Sequence, residues 1–208
     1  MALKAEDFDF ISNFNSLWPI ILGALLATFG GLVGGQLEWF LESRRRERDA
    51  ALFFGEVLST LKILIDFAAD TRKVGDPYGP ITLRFLRSAR REIDTYERNR
   101  ENLYVLRDGE ARARLHTLML RLAMPIDGVL DSTEAIDALS LQLKAPGLTS
   151  EHRQELEKRI ETIRDNRDTG FDFVVETAGL ATDLALRLGE ISGRALDSVS
   201  IERVVRSA

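Results

Sequence analysis

With 208 residues, a formal net charge of −5 and no cysteine, the chain has room for one compact domain and an appendage. The acidic balance argues against a general nucleic-acid binder, and without cysteine there is neither a disulfide framework nor a thiolate metal site. The charge is unevenly placed, because no charged residue occurs between Asp9 and Glu38.

Residues 1–16 read as a short tail. Its opening, "MALKAEDFDF", sets one lysine against three carboxylates, whereas a secretory signal would begin with a basic segment. Leu17 to Leu37 follows as an uncharged run, close to the ~20 residues that cross the ~30 Å hydrocarbon layer as a helix. Trp18 and Trp39 flank it, roughly 31 Å apart along a helix, the spacing of aromatic anchors at two interfaces. Pro19 is expected in the first turn, where a missing amide hydrogen costs least. Residues 17–37 are therefore predicted to be a single transmembrane helix.

Arg44, Arg45, Arg46 and Arg48 come just after this run, against Lys4 alone before it. Basic residues stay on the cytoplasmic side. The expected topology has the N-terminus outside and residues 38–208 in the cytoplasm, with a bacterial inner membrane as the expected location. On a helical projection Gly23, Ala27, Gly30 and Gly34 share a narrow arc, widened by Gly31 and Gly35, with Leu22, Leu25, Phe29, Leu32 and Val33 opposite. Small residues at four-residue spacing let helices approach closely in lipid, so self-association through this face is expected. A pore lined by that face is the weaker alternative, since Thr28 is the sole polar residue expected to line it.

Beyond residue 38 helix formers dominate, and no alternating strand pattern stands out. The first helix is expected to continue past the span, with Leu52, Val57, Leu61, Ile65 and Ala68 along one side, until "GDPYGP" (75–80) stops it. A second helix is predicted over 81–107 with the stripe Leu86, Ala89, Ile93, Tyr96, then Arg100, then Leu103. A third runs from about residue 109 toward Ala145 on Leu115, Leu118, Leu122, Ile126 and Val129, with Pro125 expected to kink or divide it. A fourth, capped by Thr149 or Ser150, carries a thin stripe of Leu156, Ile160 and Ile163. Gly170 is expected to separate it from a last helix. The fold class is all-α: one N-terminal transmembrane helix continuing into an antiparallel cytoplasmic bundle of four or five helices.

Arg84, Arg87, Arg91 and Arg98 recur on one face of the second helix, a ridge able to meet an anionic ligand, a phosphorylated partner or lipid headgroups. Mixed charges nearby make a solvated face the plainer reading. Arg100 interrupts the apolar stripe, which predicts a buried ion pair with Asp66 or Asp70 on the first helix, or with Asp127 or Asp131 on the third. Asp76 and Tyr78 at the "GDPYGP" tip, with Arg84, Arg87 and Arg91, are the candidate partner contacts. Neither His116 nor His152 has the glutamate three residues earlier that a di-iron bundle needs, so no metal or cofactor is expected. "GGLVGG" is not a phosphate loop, and no nucleophile motif occurs.

The functional expectation is a membrane-anchored scaffold, adaptor or structural subunit rather than an enzyme. Its expected partners are the bilayer, further copies of itself and other membrane or cytoplasmic proteins. No nucleic acid or small-molecule substrate is implicated. A channel or transport component and a ligand-sensing domain are the alternatives.

Overall fold

The structure, a computed structural model, describes residues 10–194 and Leu196, leaving aside the side chains of residues 10–17, Ile20 and Leu32. The rest of the expected tail, residues 1–9, lies outside the described residues. Among the described residues the fold is all-helical, with α1 (Phe10–Arg72), α2 (Pro80–Arg98), a short 3-10 helix (Arg100–Val105), α3 (Gly109–Leu143), α4 (Ser150–Gly179) and α5 (Ala181–Ser192). The chain divides into two units, Met1–Arg45 and Arg46–Ala208.

In the first unit, every described side chain from Trp18 to Glu42 is exposed. Among the described residues no helix is long and apolar enough to cross a membrane, so the span expected over 17–37 has no support from the described helices. Leu17, Ile20 and Leu32, three strongly apolar members of that run, are among the side chains left aside. Pro19 is not in a first turn, because α1 already begins at Phe10. Proline lacks the amide hydrogen that would bond the Asn15 carbonyl one turn back. Thr28 is satisfied within the helix, its Oγ1 donating to the Ala24 carbonyl at 2.8 Å.

The second unit is built on a continuous core. From Arg46 onward α1 buries Ala51, Phe54, Leu58, Leu61, Ile65 and Ala68, a three-and-four repeat that keeps one helix face apolar. Leu52, expected on this stripe, is only partly buried at its margin. The predicted stripes of α2 and α3 are buried as expected: Leu86, Ala89, Ile93 and Tyr96 on the one, Leu115, Leu118, Leu122, Ile126 and Val129 on the other. Pro125 lies inside an unbroken α3. Leu122 and Ile126 on either side of it are both fully buried, and this packing holds the helix together across the missing hydrogen bond. The far ends of α3 and α4 form a separate small cluster of Ile136, Leu139, Leu156 and Ile160, a two-helix arm with no contribution from the other helices. Ile163 is only partly buried there.

Helix ends follow local chemistry. Gly75 at φ 79° turns the chain out of α1 through a region that side chains disfavour. Asp76 accepts the Tyr78 amide at 3.1 Å, and Pro80 opens α2, where its fixed φ suits the first turn. The Asp108 side chain caps α3 by accepting from the Glu110 and Ala111 amides, and Thr149 caps α4 through the His152 amide. α2 stops at Arg98 rather than Arg107, because Asn99 folds back with its Nδ2 donating to the Thr95 carbonyl at 2.8 Å. Gly170 does not break α4, which runs on to Gly179. A Cβ at Gly170 would sit 3.5 Å from Val129, so this glycine lets α4 lie close to α3.

Candidate functional site

The "GDPYGP" connection draws together the end of α1, the start of α2 and the middle of α4. Tyr78, expected to face a partner, is buried instead. Its ring meets Phe171 edge-on at 5.9 Å, and the Arg167 guanidinium lies over its face at 3.5 Å. Arg72 reaches both rings, 5.3 Å from Tyr78 and 4.6 Å from Phe171. The phenol donates to Asp168 Oδ1 at 2.5 Å, and Arg72 also pairs with Asp172 at 2.5 Å. Burial first, and then the Asp168 hydrogen bond, push the Tyr78 phenol well above its ordinary pKa, against the opposing charges of Arg72 and Arg167. The reason for the correction is steric and electrostatic: a turn this tight aims the tyrosine inward, and two arginines on facing helices close over it. Tyr78 is a strut. Asp76 remains exposed at the tip.

Outside this strut lies an open apolar groove of about 580 Å³ between the last turn of α1 and the first turns of α2. Phe67 and Phe85 form its inner wall with their rings 5.5 Å apart. Val74 and Ile81 stand at its mouth, 78% and 61% exposed. Its floor is polar but satisfied, since the Thr71 and Thr82 hydroxyls lie 3.1 Å apart. Asp70 and Asp76 line its acidic edge. Exposed apolar side chains at this density, next to a solvated rim, mark an interaction surface more often than an accident of composition.

The arginine ridge of α2 is exposed throughout: Arg84, Arg87, Arg91 and Arg98 all face solvent. Arg87 reaches Glu134 on α3 at 3.8 Å, and Arg91 donates to Ser88 within its own helix. None of the four arginines lines the groove.

Arg100 is exposed, which corrects the expectation of a buried ion pair. The chain leaves the helical period at Asn99, so the position that would continue the stripe turns outward. The arginine that does join two helices is Arg90. Its Nε donates to Asp127 on α3 at 2.9 Å, and it pairs with Asp94 on its own helix. Partial burial works against this charge but is outweighed by Asp127, Asp94 and Glu97, which raise the guanidinium pKa further. Asp66 pairs with Lys62, Asp70 pairs with Lys73, and Asp131 is exposed.

Among the described residues no group of three or more candidate ligands could hold a metal ion. His116 Nδ1 lies 3.1 Å from the Tyr96 hydroxyl, and His152 is exposed. Arg44 and Arg45 end the first unit and Arg46 and Arg48 open the second, and all four are exposed; Arg44 lies over the Phe40 ring at 5.0 Å. Trp18 and Trp39 are 52% and 70% exposed. A Cβ added at Gly23, Gly30, Gly31, Gly34 or Gly35 would meet nothing within 4 Å. Sequence reasoning did not find Phe67 and Phe85. The available signal was their position: each lies nine residues from Asp76, apolar yet off the buried stripe of its helix.

No family model matches the chain, and neither a curated protein nor a solved structure matches it.

Proposed function

We propose that the chain is a membrane-anchored helical scaffold, with residues 17–37 as its single span, its N-terminus outside and its bundle in the cytoplasm, and that it self-associates through the glycine face of the span. The observation carrying this reading is the set of open glycines. Gly23, Gly30, Gly31, Gly34 and Gly35 sit inside α1 with nothing where a side chain would go. Each glycine in a helix interior costs about 1 kcal/mol relative to alanine in water, and no contact among the described residues offsets that. Close approach of a second helix does offset it, and lipid is the setting where such packing drives association.

Three features support the membrane setting. Leu22, Leu25, Phe29 and Val33 are all exposed, on the half of the helix opposite the glycines. Neither half carries a charge between Asp9 and Glu38. The hydroxyl of Thr28 is already bonded to the backbone, as a side chain in hydrocarbon must be.

The test uses the cysteine-free chain. Single variants Ser12→Cys and Ala145→Cys are expressed in cells and labelled with a membrane-impermeant maleimide. Ser12→Cys should label on intact cells and Ala145→Cys only after lysis, with the protein resisting alkaline extraction of the membrane fraction. Release of the protein into the soluble fraction, or the reverse labelling pattern, would refute the anchor.

A further inference from the structure

We infer that the arginine ridge of α2 is a docking surface for the acidic face of α4 on a second copy, so that neighbouring bundles stand side by side with these two helices running the same way. The inference rests on the self-association reading above and extends it from the span to the bundle.

The two faces carry opposite charge in one pattern. Arg84, Arg87 and Arg91 are spaced by three and four residues, and so are Asp165, Asp168 and Asp172 on α4, the repeat by which two parallel helices meet in register. Arg98 extends the first row and Glu176 the second. All four arginines are exposed, as are Asp165, Asp172 and Glu176, while the Asp168 side chain is half exposed. Among the described residues Arg84, Arg91 and Arg98 have no carboxylate partner, and Asp165 and Glu176 have no basic one. Arg87 holds Glu134 loosely, at 3.8 Å with both side chains more than half exposed. Asp168 and Asp172 already meet Arg72, but a carboxylate accepts more than one donor.

Helix α3 fixes the levels of the two rows, because α2 and α4 both pack against it and run opposite to it. Arg87 reaches Glu134 and Arg90 reaches Asp127, so α2 rises as α3 falls. Gly170 lies against Val129, and Leu156 and Ile160 join Ile136 and Leu139, so α4 does the same. Asp127 and Val129 differ by about 3 Å along α3. Arg84, Arg87 and Arg91 therefore fall within about 2 Å of the levels of Asp165, Asp168 and Asp172. Within one chain no arginine of the ridge pairs with a carboxylate of the α4 row. Copies anchored in one bilayer share direction and height, so sideways approach alone aligns the rows; an unrelated acidic helix need not share spacing, direction and level together. Each copy carries one row of each sign, so the contact is heterologous and joins copies head to tail. Single exposed pairs are weak. Three in register suffice at the millimolar effective concentration that a shared membrane provides.

The chain has no cysteine of its own, so cross-linking reads the geometry. Full-length Arg84→Cys and Asp165→Cys chains, carrying different tags, are co-expressed and treated with a short bismaleimide in membranes. The mixed dimer should exceed either like-with-like product severalfold. Charge reversal provides a second reading, with Arg98→Cys on one chain and Glu176→Cys on the other as reporters. Arg84→Glu in both chains should lower the mixed product about fivefold, and Arg84→Glu combined with Asp165→Arg should restore it. Both reversed positions are exposed, so the melting temperature should match that of the parent. No mixed product, like-with-like products as abundant as the mixed one, or no recovery in the double reversal would overturn the inference. Failure of the anchor shows separately, as protein in the soluble fraction, and failure of the glycine face as an assembly whose mass Gly30→Leu does not change.

Discussion

Replacing Tyr78 with alanine separates a strut from a contact. The tyrosine ring is 8% exposed, meets Phe171 and is covered by Arg72 and Arg167, so truncation removes a buried aromatic and leaves a void. Large-to-small changes of this kind cost about 3–5 kcal/mol. The void opens toward the turn and can partly collapse, which favours the lower end, about 3 kcal/mol. At ~2–4 °C per kcal/mol for a chain of this size, melting should fall by roughly 6–12 °C. Tyr78→Phe keeps the packing and loses only the bond to Asp168, a hydrogen bond to a charged acceptor worth about 1.5–3 kcal/mol, reduced here because Arg72 and Arg167 still lie within 4 Å of that carboxylate. Its expected loss is nearer 1 kcal/mol. Thermal unfolding of the full-length protein in mild detergent, followed by far-ultraviolet circular dichroism, reads both. An unchanged melting temperature in Tyr78→Ala would refute the strut and return the residue to the surface.

The same phenol predicts a pH dependence. Its pKa is raised in the folded state from the ordinary 10.0, so its contribution is intact below pH 10 and is lost as pH rises beyond that value; Tyr78→Phe should flatten that alkaline loss in a pH series of melting curves, leaving the part due to Tyr96, whose burial also raises it. Arg90→Met should destabilise the bundle by about 1 kcal/mol, the scale of a partly exposed ion pair joining two helices, whereas Arg100→Ala should stay within about 0.5 kcal/mol of the parent in denaturant titration. At Gly55 an added Cβ would lie 2.0 Å from Leu196 Cδ1; Gly55→Leu should expel that side chain and lower stability by about 1.5–3 kcal/mol, the value of one buried leucine, read by denaturant titration. Asp108→Ala should cost about 1 kcal/mol through the lost cap of α3. The Ala111 amide and then Arg187 hold the Asp108 pKa low, so this contribution is present above the ordinary carboxylate range and disappears as pH falls through the lowered pKa.

Where the apolar period was strong and uninterrupted, the sequence was readable. Leu86, Ala89, Ile93 and Tyr96 fall every three or four residues, and all four are buried, because a helix can hide only one face. Extending that period to Arg100 failed at Asn99, whose amide prefers the carbonyl one turn back to another turn of helix. Gly170 and Pro125 misled in the opposite direction. Each is a local helix breaker, but buried neighbours on α3 and α4 outweigh it, and tertiary packing overrides propensity of this size. The division between α4 and α5 comes at Leu180, which carries no sequence signal for an interruption. Tyr78 could not be placed from sequence because its environment comes from Arg167, Asp168 and Phe171, about ninety residues away. The groove escaped notice for a related reason: Phe67 and Phe85 acquire meaning only once the turn has brought α1 and α2 side by side.

The central claim is that anchored copies associate through the glycine face. The most direct measurement is the mass of the full-length protein in gentle detergent, by light scattering corrected for bound detergent, for the parent and for Gly30→Leu, with co-eluting chains identified. A Cβ at Gly30 meets nothing within 4 Å among the described residues, so the variant should fold as the parent does and differ only in assembly. A homo-oligomer that falls to monomer on Gly30→Leu is the predicted result. A parent that is already monomeric, or an oligomer unmoved by Gly30→Leu, would contradict it.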